Sequence, residues 1–305
     1  MVSHSETKIA ATRGRVLLTG ANGFTGVHLR AELEAAGYAV VGAVVGVPAG
    51  PHEVALDITS LDNCRSVMEA IRPDYLVHLA AISFVQHADA EAFYRVNVIG
   101  TLNLLQALVD AGVSPRRVLI ASSANVYGNA TAGIIAESQT PQPVNHYAAS
   151  KLAMEHMART WNDRLPIVMT RPFNYTGIGQ ERHFLVPKIV THFVQRAPVI
   201  ELGNLDVERD FSDVRTVARI YRGLLECNCA GQTVNVCSGR PYSLRGILAM
   251  MEEICGYQID IQVNPAFVRQ SEVKILIGSP ERMRALLGEI NVIPLEQTLR
   301  WMAQA

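Results

Sequence analysis

The stretch Thr19-Gly20-Ala21-Asn22-Gly23-Phe24-Thr25-Gly26 (TGANGFTG, residues 19–26) spaces its glycines as GxxGxxG, a variant of the GxGxxG dinucleotide fingerprint. Its surroundings give it weight. A short apolar run, residues 15–18, enters the turn, and residues 27–36, with Leu29 and Leu33 on one helical face, leave it. In strand-turn-helix order the first glycine permits the tight turn. The second lets the backbone approach a pyrophosphate, and the third lets the helix pack closely on the strand with its first amides aimed at the phosphates. A ligand-free glycine turn would need neither flank.

Outward from this turn, residues 39–45, 75–79, 117–121 and 166–170 read as further buried strands, and 61–71, 97–111 and 148–161 have helical spacing. Strands alternating with helices predict an α/β fold: a Rossmann-like doubly wound parallel sheet covered on both faces. Beyond Arg171 the alternation becomes irregular, with Gly and Pro clusters at 175–180 and 265–278, as expected of a smaller C-terminal substrate-binding lobe. The expected division is a loose tail over 1–13, a dinucleotide-binding domain over 14–173 with 207–240 returning to it, and the substrate lobe over 174–206 and 241–305.

The 305 residues are 49% hydrophobic, enough for one large core, and carry a formal charge of -1. No global basic field gathers nucleic acid or anionic lipid, so an anionic ligand must be met by local cations. The polar first dozen residues lack the apolar run of a secretion signal, and no later apolar stretch reaches about 18 residues. Cys64, Cys227, Cys229, Cys237 and Cys255 form no CxxC pair and sit at no zinc-ligand spacing, and His183 and His192 have no companion ligand; a reduced cytoplasm and no metal are expected.

Tyr147-Ala148-Ala149-Ser150-Lys151 sets a phenol and an ammonium four residues apart, on one face of a helix. A close lysine and a cationic nicotinamide ring would each favour the phenolate, letting Tyr147 exchange a proton with a carbinol or carbonyl. Ser122-Ser123-Ala124-Asn125-Val126-Tyr127-Gly128 follows a buried strand, so its hydroxyls emerge at the carboxyl edge of the sheet, where Ser123 would share the substrate oxygen with Tyr147. A solvated Tyr and Lys beside turn-capping serines is the bland alternative, and the glycine turn counts against it. Asp57, after the second strand, is placed to accept a bond from an adenine amino group. Val44 and Val45 stand where an acid would select NAD, and no arginine selecting NADP lies beside them. NADP(H) and NAD(H) both stay open, with a lean to NADP(H).

TGANGFTG, HLAA (78–81), NVIGTLNLL (97–105), SSANVYG (122–128), YAASK (147–151), RPFN (171–174) and RDFSDV (209–214) together resemble the extended short-chain dehydrogenase/reductase family, also called the NAD-dependent epimerase/dehydratase family. Within it, NVCSG (235–239) and the helix-rich end are most similar to reductases of GDP-4-keto-6-deoxy-mannose. The resemblance implies that Ser123, Tyr147 and Lys151 are catalytic. It implies a cofactor lined by Gly20, Asn22, Gly23, Phe24, Thr25, Gly26, Asp57, Ile58, Leu79, Ala80, Ala81 and Asn97, besides Tyr147 and Lys151. A nucleotide-diphosphate sugar would meet Ser83, Ser123, Asn125, Asn174, Lys188, Arg209 and Arg269, with Glu272 on the nucleotide ribose. For Arg209 an ion pair with Asp210 or Asp213 is the structural alternative, and for Lys188 a solvated position.

Family dehydratases carry an acid directly after the catalytic hydroxyl; this chain has Ala124 and Asn125. Hydride transfer to C4 of a nucleotide-linked 4-keto-6-deoxy sugar, with Tyr147 donating the proton, is therefore the expected chemistry. An NAD-retaining C4 epimerase is the alternative, and a dinucleotide-binding sensor without chemistry is a third reading. Relatives also imply a homodimer in which residues 97–111 and 148–161 build a four-helix bundle.

Overall fold

A computed structural model describes residues 12–83, 89–129, 133–268 and 275–305. Its central sheet contains β1 (Arg15–Thr19), β2 (Ala39–Val44), β3 (Glu53–Ala55), β4 (Tyr75–His78), β5 (Arg117–Ala121), β6 (Ile167–Pro172) and β7 (Thr233–Val236). Their order is β7-β6-β5-β4-β1-β2-β3, and every neighbouring pair is parallel. This is the expected doubly wound α/β fold. All four residues of β4 are buried, as are the last four of β1, because helices cover both faces. One face packs on Phe24–Ala35 and Val214–Glu226 through Leu29, Leu33, Val217 and Leu224. The other packs on Leu61–Ile71, Thr101–Asp110 and His146–Arg159 through Met68, Leu104 and Met154. The strand order reverses between β1 and β4, so the glycine turn and residues 79–83 flank the crevice where such sheets take ligands.

The helix expected over 97–111 begins earlier and is not uniform. An α-turn at Ala90–Tyr94 passes into a π-helical segment, Arg95–Gly100, before the α-helix Thr101–Asp110. The Asn97 amide turns back to Ile82, accepting its N–H (3.0 Å) and donating to its carbonyl (3.2 Å), while Gly100 lies so close to Ile58 that a Cβ would come within 2.7 Å of Cδ1. Such wide turns mark places where side chains intrude into the helical ladder.

The irregular second half builds a second sheet from segments of two to six residues. Pro241–Ser243, Glu208–Asp213, Ile275–Gly278 and Ile134–Ile135 lie in that order, with Asn174–Thr176 also paired to Glu208–Asp213. Leu185–Val194, Leu244–Cys255 and Leu295–Ala303 pack a separate apolar cluster around Ile189, Ile247 and Leu299. The segment 207–240 is thus divided: Glu208–Asp213 belongs to the second sheet, while Val214–Glu226 and β7 return to the first. Met283, from a segment assigned by sequence to the lobe, packs in the core of the first. All five cysteines are free thiols, and no helix among the described residues is long and apolar enough to cross a membrane.

At the end of β4, buried His78 ties the end of β1 to the start of the helix Thr101–Asp110. Its Nδ1 lies 2.8 Å from Thr19 Oγ1 and its Nε2 2.9 Å from Thr101 Oγ1. Burial, then the Lys151 charge, pushes its pKa down to about 3. The unfolded chain therefore binds this proton more readily below about pH 6.5, so His78 withdraws stability as pH falls through about 6.5 toward 3. Between pH 7 and pH 5 this amounts to about 2 kcal/mol. Urea unfolding at the two values should show that loss in the wild type beyond the loss in His78→Gln; equal losses would contradict it.

Candidate active site

The helix His146–Arg159 starts on Asn145, whose side chain accepts the Ala148 N–H (2.8 Å). Tyr147 thus sits in the first turn and Lys151 one turn later, both buried. Lys151 Nζ donates to the Ala121 carbonyl at the end of β5 (2.8 Å). Ser123, two residues on, begins the 3-10 turn Ala124–Tyr127; its Oγ accepts the Asn125 N–H (3.1 Å), and its hydroxyl is the polar neighbour that opposes the rise of the Tyr147 pKa. The structure brings the three expected residues together at the carboxyl edge of the sheet.

Burial sets the charge state of Tyr147. Burial pushes its pKa up to about 12, opposed by the Ser123 hydrogen bond, while burial pulls Lys151 down to about 8 against the Glu155 carboxylate. The buried phenol is neutral, not a phenolate, because desolvation outweighs the neighbours that favour the anion.

The glycine turn has the expected shape. Gly20 has φ +70°, and a Cβ there would meet the Ala80 amide nitrogen at 2.9 Å; one on Gly26 would lie 2.2 Å from the Gly20 carbonyl oxygen. Gly23 caps Phe24–Ala35 without a side-chain acceptor, leaving the first-turn amides to an anion. Thr19 Oγ1 holds the Leu79 and Ala80 amides (3.2 and 3.1 Å), setting Leu79, Ala80 and Ala81 beside the turn. This cradle fits a dinucleotide. Asn22 is exposed, and Phe24 and Thr25 reach across to Tyr175, by stacking (5.8 Å between centroids) and by a 2.7 Å hydroxyl contact. Sequence reading missed Tyr175, which carries no spacing signal.

Other expected residues have less direct places. Exposed Asp57 follows β3, a strand not separated in the sequence, and its Oδ1 accepts the Thr59 N–H and hydroxyl (2.8 and 2.7 Å). Ile58 is buried, with its carbonyl accepting from Asn103. Asn97 differs from its expected cofactor contact: its two amide hydrogens go to the Ile82 carbonyl and Ser150 Oγ, so it fixes the loop and the helix that flank the crevice. Ser83 and Asn125 are exposed, and Asn174 Nδ2 donates to the Asp210 carbonyl (3.4 Å). Lys188 is not freely solvated: its ammonium donates to the Glu201 carbonyl (2.6 Å) and lies 4.5 Å from the Phe267 ring centroid. Arg209 NH1 donates to the Glu208 carbonyl (2.9 Å). Asp210 holds the Ser238 and Gly239 amides, and Asp213 holds Arg215 and Thr298, so both carboxylates named as its alternative partners have other duties. Arg269 and Glu272 lie outside the described residues.

With this geometry in place, comparison with known proteins is decisive. The profile of the NAD dependent epimerase/dehydratase family matches residues 16–237. The chain belongs to this family. GDP-6-deoxy-D-talose 4-dehydrogenase of Aggregatibacter actinomycetemcomitans is 40% identical over 90% of this chain and 91% of its own. GDP-6-deoxy-D-mannose reductase of Pseudomonas aeruginosa is 35% identical over 94% and 95%. The structure of RMD from Pseudomonas aeruginosa complexed with NADPH superposes with a TM-score of 0.84 at 33% identity, covering 95% of this chain and 98% of that one. This epimerase/dehydratase-family chain is an NAD(P)-dependent oxidoreductase of the nucleotide-sugar-modifying kind.

Gly26→Ala tests the cradle. The added methyl must displace backbone, so urea unfolding should show a loss of about 1–3 kcal/mol. Fluorescence titration should show NADPH affinity weakened at least about tenfold, about 1.4 kcal/mol. Unchanged stability and affinity would contradict the close approach.

Proposed function

We propose that this enzyme reduces the 4-keto group of a GDP-linked 4-keto-6-deoxy sugar. The observation that carries the reading is the gathering of Ser123, Tyr147 and Lys151 beside a turn that offers Ala124 and Asn125, neither of them an acid or base for elimination. The two GDP-sugar relatives support the substrate class. Bound NADPH or NADH supplies the hydride to C4. Neutral Tyr147 donates its proton to the sugar oxygen, Ser123 holds that oxygen in place, and Lys151, anchored on Ala121, stabilises the phenolate left behind. Ser83, Asn125 and Asn174 would contact the sugar or its phosphates; Arg209, Lys188 and Arg269 would meet the diphosphate, and Glu272 the nucleotide ribose. Lys188 must then exchange its Glu201 contact.

The cofactor-side contacts are those of the glycine turn, Asp57, Ile58 and residues 79–81, with Asn97 in support. NADP(H) is favoured by the uncharged end of β2, where Val44 and Val45 stand in place of the acid that would select NAD. The second reading, an epimerase that keeps its NAD, draws on the family itself. A homodimer would bury the outer face of the helices beside the site, where Ile99 and Met157 are exposed.

Purified enzyme given NADPH and GDP-4-keto-6-deoxy-mannose should oxidise one NADPH per sugar reduced; sugar isomerisation without net oxidation would point to the epimerase. Tyr147→Phe should bind NADPH like the wild type while turnover falls at least about 10²-fold. Near-wild-type turnover would remove Tyr147 from the chemistry. The Lys151 charge is present below its folded pKa and lost above it, so reduction should decline as pH rises past about 8. A rate still rising at pH 10 would contradict that assignment.

A further inference from the structure

Behind the triad lies a chain of buried polar groups that proton transfer does not use directly. Glu155 follows Lys151 by one helical turn and is fully buried. Its Oε1 accepts Arg171 Nε (2.8 Å) and its Oε2 accepts Arg171 NH2 (2.6 Å), a bidentate pair between the catalytic helix and β6. Arg159, at the rim, adds a second cation to Oε2 (3.0 Å). From the far side, Arg171 NH1 donates to the Tyr127 hydroxyl (2.9 Å), and its guanidinium lies over that ring at 4.8 Å. Tyr127 ends the 3-10 turn that Ser123 begins, so one carboxylate is linked to the carriers of all three triad residues.

A buried ion pair adds little stability over a well-packed apolar pair, so its placement calls for another reason. Here that reason is Lys151, whose ammonium is out of water and bonded to a neutral carbonyl. We propose that Glu155 is a positioning residue of the reaction: its carboxylate, oriented by Arg171, is the anionic partner that keeps Lys151 charged beside Tyr147. The other titratable groups around Lys151 do not supply that charge. On its own helix stand Tyr147 and Arg159, from β4 comes His78, from β6 comes Arg171, and from the 3-10 turn comes Tyr127. None is an anion at neutral pH. The direction agrees, since burial lowers the Lys151 pKa and Glu155 raises it.

The inference rests on the proposed roles of Tyr147 and Lys151, yet it can be tested without turnover. The chain has four lysines, Lys8, Lys151, Lys188 and Lys274, so in protein labelled with ¹³Cε-lysine each resonance can be titrated and Lys151 assigned from Lys151→Arg. Glu155→Gln should lower the Lys151 midpoint by at least about one pH unit, the size expected for loss of a nearby opposite charge. Arg159→Gln, at a partly exposed site, leaves the Arg171 pair in place and removes a cation that competes for Glu155. It should move the midpoint the other way. Glu155→Gln also leaves Arg171 buried without its carboxylate; Glu155→Gln/Arg171→Met removes an anion and a cation together, so its downward shift should be smaller than that of Glu155→Gln alone. Because Arg159 is partly exposed and Arg171 still holds the Glu155 carboxylate in that variant, an unchanged or lowered midpoint there would overturn the proposal whether or not Glu155→Gln folds, as would an unchanged midpoint in Glu155→Gln. With the keto sugar, the alkaline limb of kcat/KM should follow the same shifts. Shifted NMR midpoints without any reductase activity would refute the substrate reading and leave the Glu155 inference standing.

Discussion

Arg171 and Glu155 form the interaction on which the rest of the structure hangs. Two opposite charges, both removed from water, persist only because their bidentate geometry and remaining hydrogen bonds compensate the lost hydration. Arg171 ties the catalytic helix to β6 and, through Tyr127, to the turn carrying Ser123. Tyr127 passes the connection to Asn235 on β7 (2.7 Å), and Asn235 Nδ2 donates to the Ile135 carbonyl in the second sheet (2.9 Å). The helix His146–Arg159, the serine turn, the last two strands of the central sheet and the edge of the second sheet are thereby fixed relative to one another.

That rigidity explains how an ordinary phenol and amine are put to use. In water Tyr147 and Lys151 would titrate close together near pH 10. Burial separates them in opposite directions, holding the phenol neutral while making the ammonium easier to lose. In the proposed reaction a neutral phenol is the form that protonates the developing alkoxide, and a fixed ammonium is the charge that stabilises the resulting phenolate. The Tyr-Lys spacing carries no information on desolvation, which depends on what surrounds the helix and not on its own sequence.

The parts of the fold legible in the sequence were those with local periodicity. β1, β4 and β5 are continuous apolar runs because both faces of a parallel sheet are covered, and the glycine turn is legible because backbone crowding at Gly20 and Gly26 excludes side chains. The second sheet was not legible. Ile134–Ile135, Asn174–Thr176 and Pro241–Ser243 are too short to show alternation and exist only through pairing with distant chain. Likewise the triad could be read from i,i+4 spacing and its position after a strand. The bonds of Asn97 could not be read, because its amide is taken by Ile82 and Ser150, 15 and 53 residues away. Glu155 did carry a signal: an acid at the same i,i+4 interval beyond Lys151.

In the proposed reaction this site receives a hydride at C4 of a nucleotide-linked keto sugar and delivers a proton to its oxygen. Its most direct test is the fate of a labelled hydride: NADPH carrying deuterium at C4 of the transferring face of the nicotinamide, incubated with GDP-4-keto-6-deoxy-mannose and followed by NMR of the recovered sugar. One deuterium is expected at C4 of the reduced sugar, matched by released oxidised cofactor. A recovered sugar without deuterium at C4 would contradict it.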